Sequence, residues 1–190
     1  MRILIALLVV TVILPAQPVE KKQPKRTKLQ VPAVSFLVPP TWKDRKPSSS
    51  MRKATWRLAG KIPVDVIVYW FGTKGAGSVE ANLDRWQKQI QSDQKAKTEK
   101  HKIGPGLKAT VLDKSGTYVA PLRPGVRERH EKKDQSFFGA IIETLDGPLY
   151  VKIVGPTKVV AGARKDVMGW IKSFKYEGSK KPPQEPKKKG

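Results

Sequence analysis

The sequence predicts an α+β domain, a mostly antiparallel sheet of about five to six strands packed with two main helices. Three observations predict it. Short extended apolar runs follow one another with hairpin-like connections, which favours antiparallel pairing. Two segments instead repeat their apolar residues at helical spacing: Val79, Leu83, Trp86 and Ile90, and Val160, Ala163, Val167, Trp170, Ile171 and Phe174. The resulting order is strands, helix, strands, helix, with no βαβ alternation to suggest a parallel sheet.

The chain opens on "MRILIALLVVTVILPAQP", one Arg followed by an apolar run from Ile3 to Leu14. That run is shorter than the about 20 residues a bilayer span needs. Pro15 and Ala16 supply a break and a small residue at a plausible cut, so residues 1–16 are expected to be a secretory signal peptide. Retention of the leader as an anchor is the alternative. Residues 17–30, "QPVEKKQPKRTKLQ", are Pro-rich and basic without periodicity and read as a disordered linker. The domain is expected over 31–177. Residues 178–190, ending "KKPPQEPKKKG", read as a disordered Lys/Pro-rich tail.

Within the domain, "AVSFLVPPTW" predicts a strand closed by Pro39 and Pro40, and "KDRKPSSS" a polar loop. "MRKATWRLAG" and "VDVIVYWFG" are the next strands, the second apolar enough to expect cover on both faces. Ser78 is the expected N-cap of the first helix, with Glu80 favourable in its first turn. "SDQKAKTEKHK" reads as the frayed helix end and a loop. "LKATVLDKSGTYVA" reads as one long strand relaxed at Gly116, or else as a hairpin. "PLRPGVRERHEKKDQ" reads as a mixed-charge loop. "SFFGAIIETLDGPLYVKIVGP" predicts a hairpin turning at Asp146-Gly147.

The chain carries a formal net charge of +22 and no cysteine. The charge favours anionic partners. The missing thiols exclude disulfides, cysteine catalysis, cysteine-ligated metals and a bacterial lipid anchor.

The glycines of "YWFGTKGAGSVEANLDRW" raise the question of a phosphate loop. Gly72 and Gly77 have P-loop spacing, but Ser78 and Val79 stand where Lys and Ser/Thr belong. Gly75 and Gly77 begin a dinucleotide fingerprint, but Glu80 replaces its third glycine. Both fail at the residues that hold phosphate, so no nucleotide or other cofactor is expected, and the glycines are read as a tight turn. A small anion held by Lys74, Gly75, Gly77 and Ser78 at the bare helix N-terminus is the speculative site.

"HEKKD" at 130–134 resembles half of a zinc motif, with Asp134 in place of the second His and basic residues around it; no metal site is expected. No G-x-S-x-G appears, and the two His, His101 and His130, lie in polar segments, so no catalytic residues are assigned. Trp86, Trp170 and Tyr69 fall on core faces, which argues against base stacking and specific nucleic-acid binding.

Taken together, "PPTW", "SSSMRKATWRL", "GAGSVEANLDRWQKQI", "LDKSGTY", "GAIIETLDGPLYVKIVGP" and the final W-x-x-SF resemble an uncharacterised family of exported bacterial proteins, planctomycete-type, many of them lipoproteins. The resemblance spans roughly residues 31–175 and implies a PsbP-like fold, in which an antiparallel sheet lies between helices. It carries no catalytic residues.

The expectation is therefore an exported, periplasmic or extracellular, monomeric and non-catalytic binding or accessory domain of the bacterial cell envelope. The alternative is an electrostatic binder of an anionic envelope polymer or a membrane surface through its basic surface and tails. An undetected hydrolase is the lesser alternative.

Overall fold

A computed structural model describes residues 23–121 and 129–178. The leader, residues 17–22 of the expected linker and residues 179–190 of the tail lie outside the described residues. In chain order the elements are β1 (Lys25–Leu29), β2 (Val34–Val38), β3 (Lys43–Arg45), β4 (Arg52–Arg57), β5 (Asp65–Trp70), α1 (Val79–Gln87), β6 (Ile90–Gln91), β7 (Lys97–Gly104), β8 (Leu107–Pro121), β9 (Arg129–Glu143), β10 (Leu149–Pro156), α2 (Thr157–Lys172) and β11 (Lys175–Tyr176). No helix among them is long and apolar enough to cross a membrane.

The α+β class and its antiparallel sheet stand as expected. The large sheet runs β3-β4-β5-β10-β9-β8-β6, with β7 beside β8, and a small sheet runs β1-β2-β11. All pairings are antiparallel. The 11 strands exceed the expected five to six because strands with exposed faces escape the hydrophobic pattern. β3 is exposed throughout, and β7 alternates exposed and half-buried positions. Their ladders rest on backbone hydrogen bonds, which composition does not reveal.

Residues read as a disordered linker also contribute a strand. Lys25–Leu29 pairs with β2 at five positions, and Leu29 packs against the core, so folded structure starts before residue 31. Likewise, Arg129–Gln135 belongs to β9 rather than to a loop. The reading of one long strand at 107–120 holds, with an irregular register between Gly116 and Tyr118. The hairpin turns at Asp146-Gly147 as expected: Gly147 has φ 97°, and its N–H donates to the Thr144 carbonyl at 3.2 Å.

Two cores sit on opposite faces of the large sheet. On the first, Val34, Phe36 and Val38 of β2 and the α2 stripe Val160, Val167, Trp170 and Ile171 pack against Trp56, Val66, Val68, Val151 and Ile153. Trp42 joins Trp56 and Trp170 at ring separations of 6.3 and 5.5 Å, and Phe36 stacks on Phe174 at 4.6 Å. Arg164 ties the outside of α2 to the strands, donating to Asp113 at 3.1 Å and to Glu99 at 3.4 Å.

The second core is smaller: Trp86, Ile90, Leu112, Phe137, Ile141 and Tyr150. Gly139 makes it possible. A Cβ there would stand 2.5 Å from the Trp86 ring, so the bare backbone lets that indole lie on the sheet. β5 corrects another expectation: Val66 and Val68 are buried, but Asp65, Ile67 and Tyr69 are only half-buried. Its second face is incompletely covered, and the site described next lies there.

Candidate functional site

The glycine turn is a structural turn. Gly72, Gly75 and Gly77 all have positive φ, at 90°, 67° and 94°. Gly75 is also pressed against the sheet: a Cβ would meet Pro148 Cγ and the Tyr150 hydroxyl at 2.6 Å each. The Tyr150 hydroxyl accepts the Ala76 N–H at 2.9 Å. Ser78 caps α1, its Oγ accepting the Ala81 N–H at 3.1 Å. The buried Asn82, which the helical stripe did not anticipate, donates to the carbonyls of Ala76 at 3.1 Å and Ser78 at 2.8 Å. Lys74 is exposed. A hollow of about 420 Å³ beside the turn is lined by Val79, Glu80, Lys100, Lys102, Lys108 and Glu143 among others, and by none of the four residues of the speculative anion site.

The two His do not share a site. His101 lies opposite Ala109 and His130 opposite Ala120, near the two ends of β8. At 3.3 Å per residue that separates their backbones by roughly 35 Å. His101 Nε2 pairs with Glu99 at 3.1 Å on a charged strand edge. Among the described residues, no group of three or more His, Cys, Asp or Glu is placed to hold a metal.

The notable polar feature lies on the half-covered α1 face. β10 alternates Leu149, Val151 and Ile153 into the first core, which turns Tyr150, Lys152 and Val154 toward α1. Lys152 thus stands mid-strand, opposite Ile67 of β5 and Gly139 of β9. Its ammonium donates to Gln89 Oε1 at 2.8 Å and to the Tyr118 hydroxyl at 3.2 Å. It also lies 5.2 Å from the Phe137 ring centroid, a cation–π distance. These partners are all neutral.

Charge of the same sign surrounds it. Arg52 lies over the Tyr69 ring at 5.7 Å, and Arg85 reaches from α1, donating to the Asn82 side-chain oxygen. Burial first, and then Arg52 and Arg85, pull the Lys152 ammonium down to about 8. Burial and then Tyr69 push the Tyr118 phenol up. Among the described residues, the ion pairs are Arg57–Asp65, Lys88–Asp84, Lys97–Glu99, His101–Glu99 and Arg164 with Glu99 and Asp113. None of them includes Lys152, Arg52 or Arg85.

Lys152 is half-buried, and an ammonium withdrawn from water is ordinarily matched by a carboxylate, because desolvating an unmatched charge is costly. Here three cations converge on tyrosine and amide groups instead. Such a cluster is complementary to an anion, which would supply the missing counter-charge and accept hydrogen bonds from guanidinium, ammonium and phenol. The sequence held one signal for it, a lone lysine inside the apolar run "GPLYVKIVGP". Arg52 and Arg85 gave none, since one precedes a strand core and the other sits on a polar helix face.

No family model matches the chain, and no curated protein matches it in sequence. Among solved structures, it is similar to the solution structure of cyanobacterial PsbP (CyanoP) from Synechocystis sp. PCC 6803. The TM-score is 0.50 at 13% identity, covering 85% of this chain and 97% of that one. At that identity the likeness is one of fold alone: the chain has a PsbP-like α+β architecture.

Proposed function

We propose that this chain is an exported, non-catalytic binding domain of the bacterial cell envelope whose ligand is an anion seated at Lys152, Arg52 and Arg85. The observation that carries the reading is the cluster of Lys152, Arg52 and Arg85 on the incompletely covered sheet face, in no ion pair among the described residues. Export rests on the leader, and placement among exported, often lipid-anchored bacterial proteins rests on the sequence resemblance. The accessory role follows by analogy of fold.

Calorimetric titration with pyrophosphate tests it. Saturable binding at low salt that falls steeply at high salt is expected. Lys152→Met should remove it while leaving the fold intact, because an apolar side chain of similar length replaces an uncompensated charge. Retention of full affinity in that variant rejects the site. Hydrolytic turnover across a broad substrate panel, abolished by one Ser, Asp or Glu substitution, rejects the non-catalytic reading.

The second reading is electrostatic attachment to an anionic envelope polymer or lipid headgroups. The small sheet favours it, because β1 and β11 flank β2 and place Lys25, Arg26, Lys28 and Lys175 on one sheet. Deleting residues 179–190 should then weaken binding to anionic vesicles.

A further inference from the structure

On the other side of the molecule, a hollow of about 860 Å³ opens where three chain reversals meet. These are the β7–β8 turn at Pro105 and Gly106, the β9–β10 turn at Leu145, and the connection from α2 to β11. Its size falls in the range of small-molecule sites, roughly 300–1,000 Å³. Leu37, Ile103, Phe174 and Leu145 give it an apolar interior and lip. Leu145 is 57% exposed, more than any other large apolar side chain among the described residues.

Among the described residues the charges lining this hollow are all positive: Arg26, Lys172 and Lys175, with no carboxylate. The carboxylates beside it are bonded within the fold, and Glu177 also lies in the field of Arg26 and Lys175, which leaves Lys172 as the rim cation without a carboxylate acting on it among the described residues. Glu177 accepts a hydrogen bond from Ser35, and the Asp146 carboxylate accepts the Ala33 N–H at 2.9 Å and the Tyr176 hydroxyl at 3.0 Å. An apolar interior with a cationic rim is complementary to one kind of molecule, an apolar chain ending in an anion.

We propose that this hollow binds a single-chain anionic amphiphile, with the chain against Leu37, Ile103 and Leu145 and the head group at Arg26, Lys172 and Lys175. The site is separate from the Lys152 cluster, which lies on the opposite face of the large sheet. The two therefore stand or fall independently.

The probe is dodecanoate below its micellar concentration, titrated into the full chain and followed by calorimetry. Saturable binding is expected. Affinity should rise about three- to fourfold per methylene from octanoate to dodecanoate, as chain burial requires. Leu145→Asp puts a like charge on the lip and should weaken binding by at least about tenfold. The Lys172→Glu, Lys175→Glu double variant should weaken it as well. All these positions are exposed, so folding is not at stake, and circular dichroism checks that directly.

Vesicles of phosphatidylcholine with and without phosphatidylglycerol distinguish the source of the amphiphile. Vesicle binding lost in Leu145→Asp shows the same site drawing on a membrane lipid. Vesicle binding without any dodecanoate binding overturns the proposal in favour of a purely electrostatic surface. Dodecanoate binding that ignores chain length or Leu145→Asp overturns it too.

Discussion

The two faces of the large sheet are built on different principles. The α2 face is a closed aromatic core: Phe36, Trp42, Trp56, Trp170 and Phe174 pack ring against ring, and β2 seals its flank. The α1 face has a shorter helix, a smaller core, and a half-buried lysine with two arginines beside it. One face holds the fold together. The other keeps polar and charged groups partly desolvated, at a free-energy cost that a purely structural face would avoid by using apolar residues. On the proposed reading, recognition lies on the face where stability is weaker.

Four measurements break or sharpen this contrast. Trp170→Ala should cost about 4 kcal/mol in chemical denaturation, since it empties the centre of the aromatic cluster. A loss below about 1 kcal/mol would mean the α2 face is not the main source of stability.

The next effect is in pH. The folded pKa of Lys152 lies below its unfolded value, about 8 against 10.5. Below about pH 8 both states hold the proton and the half-buried charge destabilises the fold. Between about 8 and 10.5 the unfolded chain holds a proton the folded chain has released, so stability rises with pH. The gain approaches at most about 3 kcal/mol. The Tyr118 and Tyr176 phenols, raised in the fold mainly by burial, act oppositely near and above pH 10, so the window to read is below that. Unfolding free energies should climb from pH 7.5 to 9.5 in the parent and stay flatter in Lys152→Met. Parallel curves would show that the α1 face carries no strained charge.

Gly139→Val should cost about 2 kcal/mol, because the new side chain displaces the Trp86 ring. Its signature is local: tryptophan near-ultraviolet signals from the α1 face shift, while α2-face amides keep their exchange protection. Loss of protection on both faces would show that the two cores are one cooperative unit. Ser78→Ala should cost about 1 kcal/mol by removing the N-cap of α1. A helix content unchanged within error would show that Asn82, bonded to the same turn, is sufficient by itself.

Where periodicity was strong, the sequence was readable. The α2 stripe, the Ser78 cap, the long β8 and the Asp146-Gly147 turn all follow from local spacing or turn chemistry. Lys25–Leu29, Lys43–Arg45 and Lys97–Gly104 were read as linker or loop because their strand character comes from a neighbour's backbone, not from their own side chains. Asn82 was missed for a related reason. Its burial at a helical position makes sense only once the turn's carbonyls stand over it.

The sequence by itself determined the class of fold, the two helical stripes, the basic charge and the departure of the glycine turn from the phosphate-loop motifs. These depend on residue identity and short spacing, which are local quantities. Tertiary structure alone decided that Arg52, Arg85 and Lys152 converge, that Lys25–Leu29 and Lys175–Tyr176 flank one small sheet, and that Arg26, Lys172 and Lys175 line one apolar hollow. Like charges far apart along the chain carry no mark of proximity; only the pairing of strands and the docking of α1 bring them within each other's field.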